Sequence, residues 1–174
     1  MIELDKASAG IGPPPTLSFE EFYGAHFQSL TVQLYAYAGD LADAQDVVQE
    51  AFCRALDRWP RVSRLDDPGA WIRRVAWNLA TSQWRRAMTA ARFVRRHREE
   101  TVPGPGPDRI ALAAALATLP ARHRRAVILH YLADVPVSEI AAQLNTTDGT
   151  VKSWLHRGRA TLAAALTDEE NDRD

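Results

Sequence analysis

The chain is 174 residues long, 46% hydrophobic and 25% charged, with a formal net charge of -1, which suits a soluble globular protein of one ordinary domain or two small ones. No run approaches the roughly 20 apolar residues that cross a bilayer, and the start MIELDKASAGIGPPPT has neither the basic stretch nor the apolar core of a signal peptide, so a cytosolic protein without membrane insertion is expected. The single cysteine, Cys53, excludes an internal disulfide and a multi-thiolate metal site, and its apolar helical setting predicts a small buried packing residue.

Apolar residues recur at helical spacing almost throughout, and alternating β-branched runs are absent, so the expected fold class is all-α. Residues 1–16 hold Gly10, Gly12 and Pro13 to Pro15 with little to bury, the pattern of a disordered N-terminal arm. Ser18 with Glu21 forms a capping box and opens a helix to about Ala38, where Gly39 stops it. Asp40 caps a second helix that Pro60 ends near Trp59. Asp67 and Pro68 are the cap and first-turn pair of a third, Arg-rich helix running towards Arg98.

The text VPGPGP, residues 102–107, alternates the two strongest breakers and reads as a linker between two small helical domains, 17–101 and 108–167. Beyond it, helical patterns cover about 108–118, 121–133, 137–144 and 148–166, punctuated by Pro120 and Pro136. An acidic, frayed tail, residues 168–174, follows.

Charge is segregated along this layout. Residues 1–70 hold 11 acids and 5 bases, a balance of -6; residues 71–100 hold 8 arginines and 2 acids, a balance of +6; the remainder is near neutral. The middle segment has the electrostatic footprint of a polyanion partner, or of a solvated basic helix. In the second helix Ala44, Val47, Val48, Ala51, Ala55 and Leu56 supply an apolar face, while Asp43, Asp46, Glu50 and Asp57 gather on another. In the third, Trp71, Ile72, Leu79 and Ser82 lie within about 60° of Val75, whereas Arg73, Trp77, Trp84 and Met88 lie roughly 160° to 220° away. Trp77 and Trp84, interleaved with arginines, suit either stacking on unpaired bases or packing against a neighbouring helix.

Val137 to Leu144, a turn at Asn145 to Thr147, and a helix from Asp148 have the layout of a helix-turn-helix. Ala141 is small where the helices must approach, Asn145 can take the left-handed turn conformation, and Val151 anchors the second helix on the first. Val151, Leu155, Gly158 and Leu162 fall within about 40° of one another and form its buried stripe. Gly149, Thr150, Ser153, His156 and Arg157 point the opposite way, with Lys152 at the margin. Such a face can enter a major groove, with Arg122, Arg124, Arg125 and Arg159 available for backbone phosphates.

LPARHRRAVILHYLADVPVSEIAAQLNTTDGTVKSWLHRGRATLAAAL, Leu119 to Leu166, resembles the minus-35-binding domain of a bacterial sigma factor of the extracytoplasmic-function (ECF) group of the sigma-70 family, above all in SEIA, GTVKS and LHRGRATL. DAQDVVQEAFCRALDRW resembles the sigma segment that grips the clamp helices of RNA polymerase, and DPGAWIRRVAWNLATSQWRR the element that binds and opens the minus-10 promoter region. Departures are Ser82, where an Asp is common, and the Trp77 and Trp84 positions, often basic or variable.

The resemblance implies a sigma region 2 domain and a region 4 domain. It implies polymerase contacts by Asp43, Asp46, Gln49, Glu50, Phe52 and Trp59, the last two in support. It implies minus-10 contacts by Arg61, Ser63, Arg64, Asp67, Arg73, Arg74, Trp77, Asn78, Trp84, Arg85 and Arg86, the loop from Arg61 to Asp67 holding a flipped base. Minus-35 contacts fall to Arg122, Arg124, Thr147, Gly149, Thr150, Lys152, Ser153, His156, Arg157 and Arg159. The partners implied are core RNA polymerase, through its beta-prime clamp helices and beta flap, promoter DNA, and an anti-sigma factor. The seven linker residues from Val102 to Asp108 reach at most about 20 Å in polyproline geometry, so promoter spacing should matter.

A stand-alone helix-turn-helix repressor or activator is the alternative, without a heptad or extra dimerisation helix in its favour. An enzyme is not expected: the five histidines are scattered, and there is no HExxH, no Gly-rich phosphate loop and no nucleophile elbow. No catalytic residue, metal site or cofactor is predicted.

Overall fold

The structure is a computed structural model describing residues 17–90 and 106–171. The expected N-terminal arm, most of the Pro/Gly linker and the end of the acidic tail lie outside the described residues. Eight helices, and no strand, are found among those described: α1 (Phe19–Ala38), α2 (Leu41–Asp57), α3 (Trp59–Val62), α4 (Pro68–Ala90), α5 (Pro107–Ala117), α6 (Ala121–Tyr131), α7 (Val137–Gln143) and α8 (Asp148–Asn171).

Local chemistry sets the boundaries. Ser18 Oγ accepts from the Glu21 backbone N–H while the Glu21 carboxylate accepts from the Ser18 N–H, closing the capping box. Those hydrogen bonds hold the exposed Glu21 carboxyl below the usual range. Gly39 ends α1 with φ 79° and donates to the Tyr35 carbonyl, a left-handed cap that a Cβ would strain. Asp40 Oδ1 accepts from the Asp43 N–H at 2.8 Å and starts α2. Pro60 does not simply end the chain's second helix: α2 stops at Asp57, and Pro60 sits in the first turn of the short α3, where its missing N–H costs nothing. Pro107, read as linker, likewise opens α5, and α8 continues past the expected fray point to Asn171.

The first lobe packs α1 and α4 around α2, which buries Ala44, Val47, Val48, Ala51 and Ala55. Phe19, Phe22, Tyr23, Phe27, Phe52 and Trp59 form one aromatic cluster at its end, with ring centroids 4.8 to 6.3 Å apart. Leu56, placed on the buried face by periodicity, is 55% exposed, and Cys53 is exposed rather than buried, because no element among the described residues covers the last turns of α2 on that side.

α4 corrects its expected orientation. Ile72, Ala76, Trp77 and Ala80 are fully buried, whereas Trp71, Val75 and Leu79 are half-buried, so the core-facing side is turned by roughly 100° from the predicted one. α1 explains the turn: Gln33 and Tyr37 on that helix reach the Trp77 ring. At the start of α4 a Cβ on Gly69 would come 2.9 Å from His26 Cε1, so glycine permits α4 to seat against α1.

In the second lobe α8 lies across α6 and α7. Val151, Leu155 and Gly158 are buried, as the stripe predicts. A Cβ on Gly158 would come 2.7 Å from Val127 Cγ2, so its absence lets α8 approach α6. The lobes also pack on each other, α1 against α5 and α6.

Candidate nucleic-acid and protein interfaces

The corner between α7 and α8 is built as its residues require. Asn145 takes φ 50°, the left-handed region it tolerates better than most residues, and Ala141 is buried where the helices meet. Thr147 Oγ1 accepts from the Thr150 N–H at 3.2 Å, so the exposed Thr147 side chain, expected from the sequence at the minus-35 contact, also caps α8. On the outer side Gly149, Lys152, His156, Arg157 and Arg159 are exposed, with Thr150 and Ser153 half-buried. Arg122 is exposed at the start of α6.

Two neighbours of Arg122 behave otherwise. Arg124 donates from Nη1 to the Tyr37 carbonyl at 2.8 Å and from Nη2 to the Ala117 and Leu119 carbonyls at 2.8 and 3.2 Å. Arg125 is 9% exposed, its guanidinium 5.2 Å from the centre of the Trp77 ring. Burial lowers both guanidinium pKa values, with Tyr37 acting in the opposite direction. Their expected phosphate contacts are therefore corrected for this arrangement: both face the first lobe. His123 lies tilted against Trp154 at 5.6 Å, and burial followed by the Arg157 charge lowers its pKa.

On α2, Asp46, Gln49 and Glu50 are exposed together and Asp43 is half-buried at the first turn. Glu50 pairs with Arg54 at 2.8 Å, an exposed i, i+4 contact that water screens and a partner can displace. Phe52 is only 2% exposed, and its ring belongs to the aromatic cluster with the half-buried Trp59. Phe52 thus lies beneath the acidic face of α2, a place that agrees with the supporting role expected of it.

Arg61, within α3, and Arg64 and Asp67, in the loop after it, are exposed, and Ser63 at the end of α3 is half-buried. Asp67 Oδ1 accepts from the Ala70 N–H at 2.7 Å, so the carboxylate starts α4 as well as lining the loop. Arg74, Asn78, Arg85 and Arg86 are exposed along α4. Arg73 is turned to the second lobe, where Nη2 meets Glu139 Oε1 at 3.2 Å. The tryptophans divide. Trp77 is fully buried, donates from Nε1 to Gln33 Oε1 at 3.2 Å, and meets Tyr37 edge-on, so its base-stacking alternative is corrected to packing. Trp84 is half-buried and stacks on Tyr37 at 5.1 Å.

A groove of about 760 Å³ runs between the lobes, walled by Tyr37, Trp84 and Arg85 on one side and Arg122, Arg124 and Leu144 on the other. Tyr37 and Glu139 organise this seam, and sequence reading missed both, since each acts on a residue far away in the chain. Among the described residues no three His, Cys, Asp or Glu side chains gather as a metal site, and no helix is long and apolar enough to cross a membrane.

Comparison with known proteins joins these surfaces. The profile of sigma-70 region 2 matches residues 22–89 and that of sigma-70 region 4 matches residues 109–162. The chain is 31% identical over 164 residues to an RNA polymerase sigma-E factor of Streptomyces avermitilis, covering 90% of this chain and 89% of that one. It is 32% identical over 152 residues to the ECF RNA polymerase sigma factor SigL of Mycobacterium tuberculosis, covering 83% and 86%. In fold it is similar to the sigma factor RpoE of Bartonella quintana, solved in complex with the anti-sigma factor NepR, with a TM-score of 0.71 at 21% identity over 86% of this chain and 96% of that one. With two regions in the same order and relatives alike over most of their length, the chain belongs to the sigma-70 family, in its extracytoplasmic-function group of RNA polymerase sigma factors, which direct promoter-specific transcription initiation.

Proposed function

We propose that three separate surfaces divide the work of initiation, and that the chain has no catalytic chemistry of its own and acts in the cytoplasm. The region 2 domain, residues 17–101, docks on the beta-prime clamp helices of core polymerase through Asp46, Gln49 and Glu50. The same domain meets the minus-10 element through the segment from Arg61, at the end of α3, to Asp67 and through Arg74, Asn78, Arg85 and Arg86 on α4. Phosphate contacts and stacking offset part of the few kcal/mol needed to unpair each flipped base. The region 4 domain, residues 108–167, sits at the beta flap and reads the minus-35 element with Lys152, Ser153, His156 and Arg157, while Arg122 and Arg159 meet phosphates. An anti-sigma factor is the proposed inhibitor.

The observation that carries this reading is the pairing of an exposed acidic patch on α2 with an exposed basic recognition face on α8. A stand-alone repressor needs the second surface but not the first. Asp46→Lys combined with Glu50→Lys is expected to lower retention by core polymerase at least about tenfold, by reversing two charges at a close-packed interface. Binding of the same variant to a duplex is expected to be unchanged. Capture measured on immobilised core enzyme checks this, and undiminished retention would remove α2 from the interface.

A further inference from the structure

The groove of about 760 Å³ has the size of a small-molecule pocket, for which roughly 300–1,000 Å³ is usual. Arg85, Arg122, Arg124 and Arg125 line it, and no acidic side chain among the described residues does, so it is a concave surface of one sign. Arg125 is the most telling of the four. It is 9% exposed, its guanidinium lies against the Trp77 ring, and its buried Nε has no hydrogen-bond partner among the described residues. No described carboxylate pairs with it. Arg124 is met by the main-chain carbonyls of Tyr37, Ala117 and Leu119 instead of a carboxylate, and its Nε is likewise buried without a partner. A cation taken out of water without an anion is costly, and the lowered pKa of both guanidiniums expresses that cost. An anion seated in the groove offsets it.

The facing wall is aromatic. Tyr37 and Trp84 stack at 5.1 Å with their planes 28° apart, and the half-buried Trp84 lines the groove beside Arg85. An indole set among guanidiniums suits a ligand that is planar at one end and anionic at the other, because the ring stacks while phosphate oxygens accept charge-assisted hydrogen bonds. An inorganic anion would use the arginines alone, and an apolar molecule the rings alone. We propose that the groove binds a free nucleoside polyphosphate, its base against Trp84 and its phosphates among Arg122, Arg124 and Arg125. The test uses no DNA, so it does not depend on the promoter contacts proposed above.

Titration calorimetry of the full chain with ATP and with GTP measures the binding, and adenosine and inorganic pyrophosphate present the two halves of the ligand separately. Saturable binding of at least one nucleotide at a single site is expected, with either half alone weaker by at least about tenfold, since stacking and charge-assisted bonds each contribute on that order. Ala121→Glu is the decisive variant. Ala121 is exposed on the groove wall and is the first residue of α6, where an acid favours the helix, so the fold is kept while a negative charge enters the groove. Like-charge repulsion should weaken nucleotide binding at least about tenfold. Ala114→Glu, which adds the same charge at an exposed position of α5 outside the groove, should leave it unchanged. Trp84→Ala should weaken nucleotide binding and leave pyrophosphate binding as it was. The site is overturned by the absence of saturable binding of either nucleotide, or by an equal loss in Ala114→Glu and Ala121→Glu. Pyrophosphate or adenosine binding as tightly as the nucleotides would overturn the assignment of the ligand.

Discussion

Trp77→Ala is expected to destabilise the free chain by about 3–5 kcal/mol, the range for truncating a buried aromatic residue. Trp77 has no exposed surface, and its indole supplies the partner for the buried Gln33 amide, so the substitution opens a cavity and leaves that oxygen without its donor. The drop is to be read as a lower denaturant midpoint by circular dichroism. Equal stability with impaired promoter opening would instead place the ring on DNA. Trp84→Ala should cost much less, because Trp84 is only half-buried against Tyr37.

The second large effect concerns reading of the upstream element. Lys152→Ala combined with Arg157→Ala should weaken upstream protection by holoenzyme at least about tenfold, since each good base contact contributes about 1–3 kcal/mol of discrimination. Both side chains are exposed, and α8 is held from beneath by Val151, Leu155 and Gly158 and capped by Thr147, so the helix should survive their loss. Footprinting checks the first half of the expectation and retention by core polymerase the second. Protection equal to that of the unaltered protein would remove this face from the groove.

Much of the architecture was legible because its causes are local. Ser18 with Glu21, Gly39, Asp40 and Asp67 act within one helical turn, and each sets the boundary its chemistry predicts. The corner at Asn145 was equally readable, since a small residue, a left-handed turn and an apolar stripe all fall within a short span. The acidic patch of α2 and the outer face of α8 follow from periodicity alone, and the side chains named on them are largely exposed.

What was not legible depends on contacts distant in sequence. Periodicity locates an apolar face but not which of two such faces meets the core, and α4 carries two; Gln33 and Tyr37, about forty residues earlier, decide in favour of the Trp77 side. Arg124 and Arg125 look like Arg122 in the sequence, yet only Arg122 stays in water, because the other two meet α1 and Trp77 across the seam. Periodicity also predicts burial for Cys53 and Leu56 at the end of α2, where no neighbour among the described residues covers them.

The most direct measurement adds the purified protein to core RNA polymerase on a library of genomic promoter fragments and maps the RNA 5′ ends. Discrete start sites that appear only with the protein present, and share two upstream elements at a fixed spacing, are the predicted result. Core enzyme that ignores the protein, or transcripts starting no more selectively with it than without it, would contradict the account.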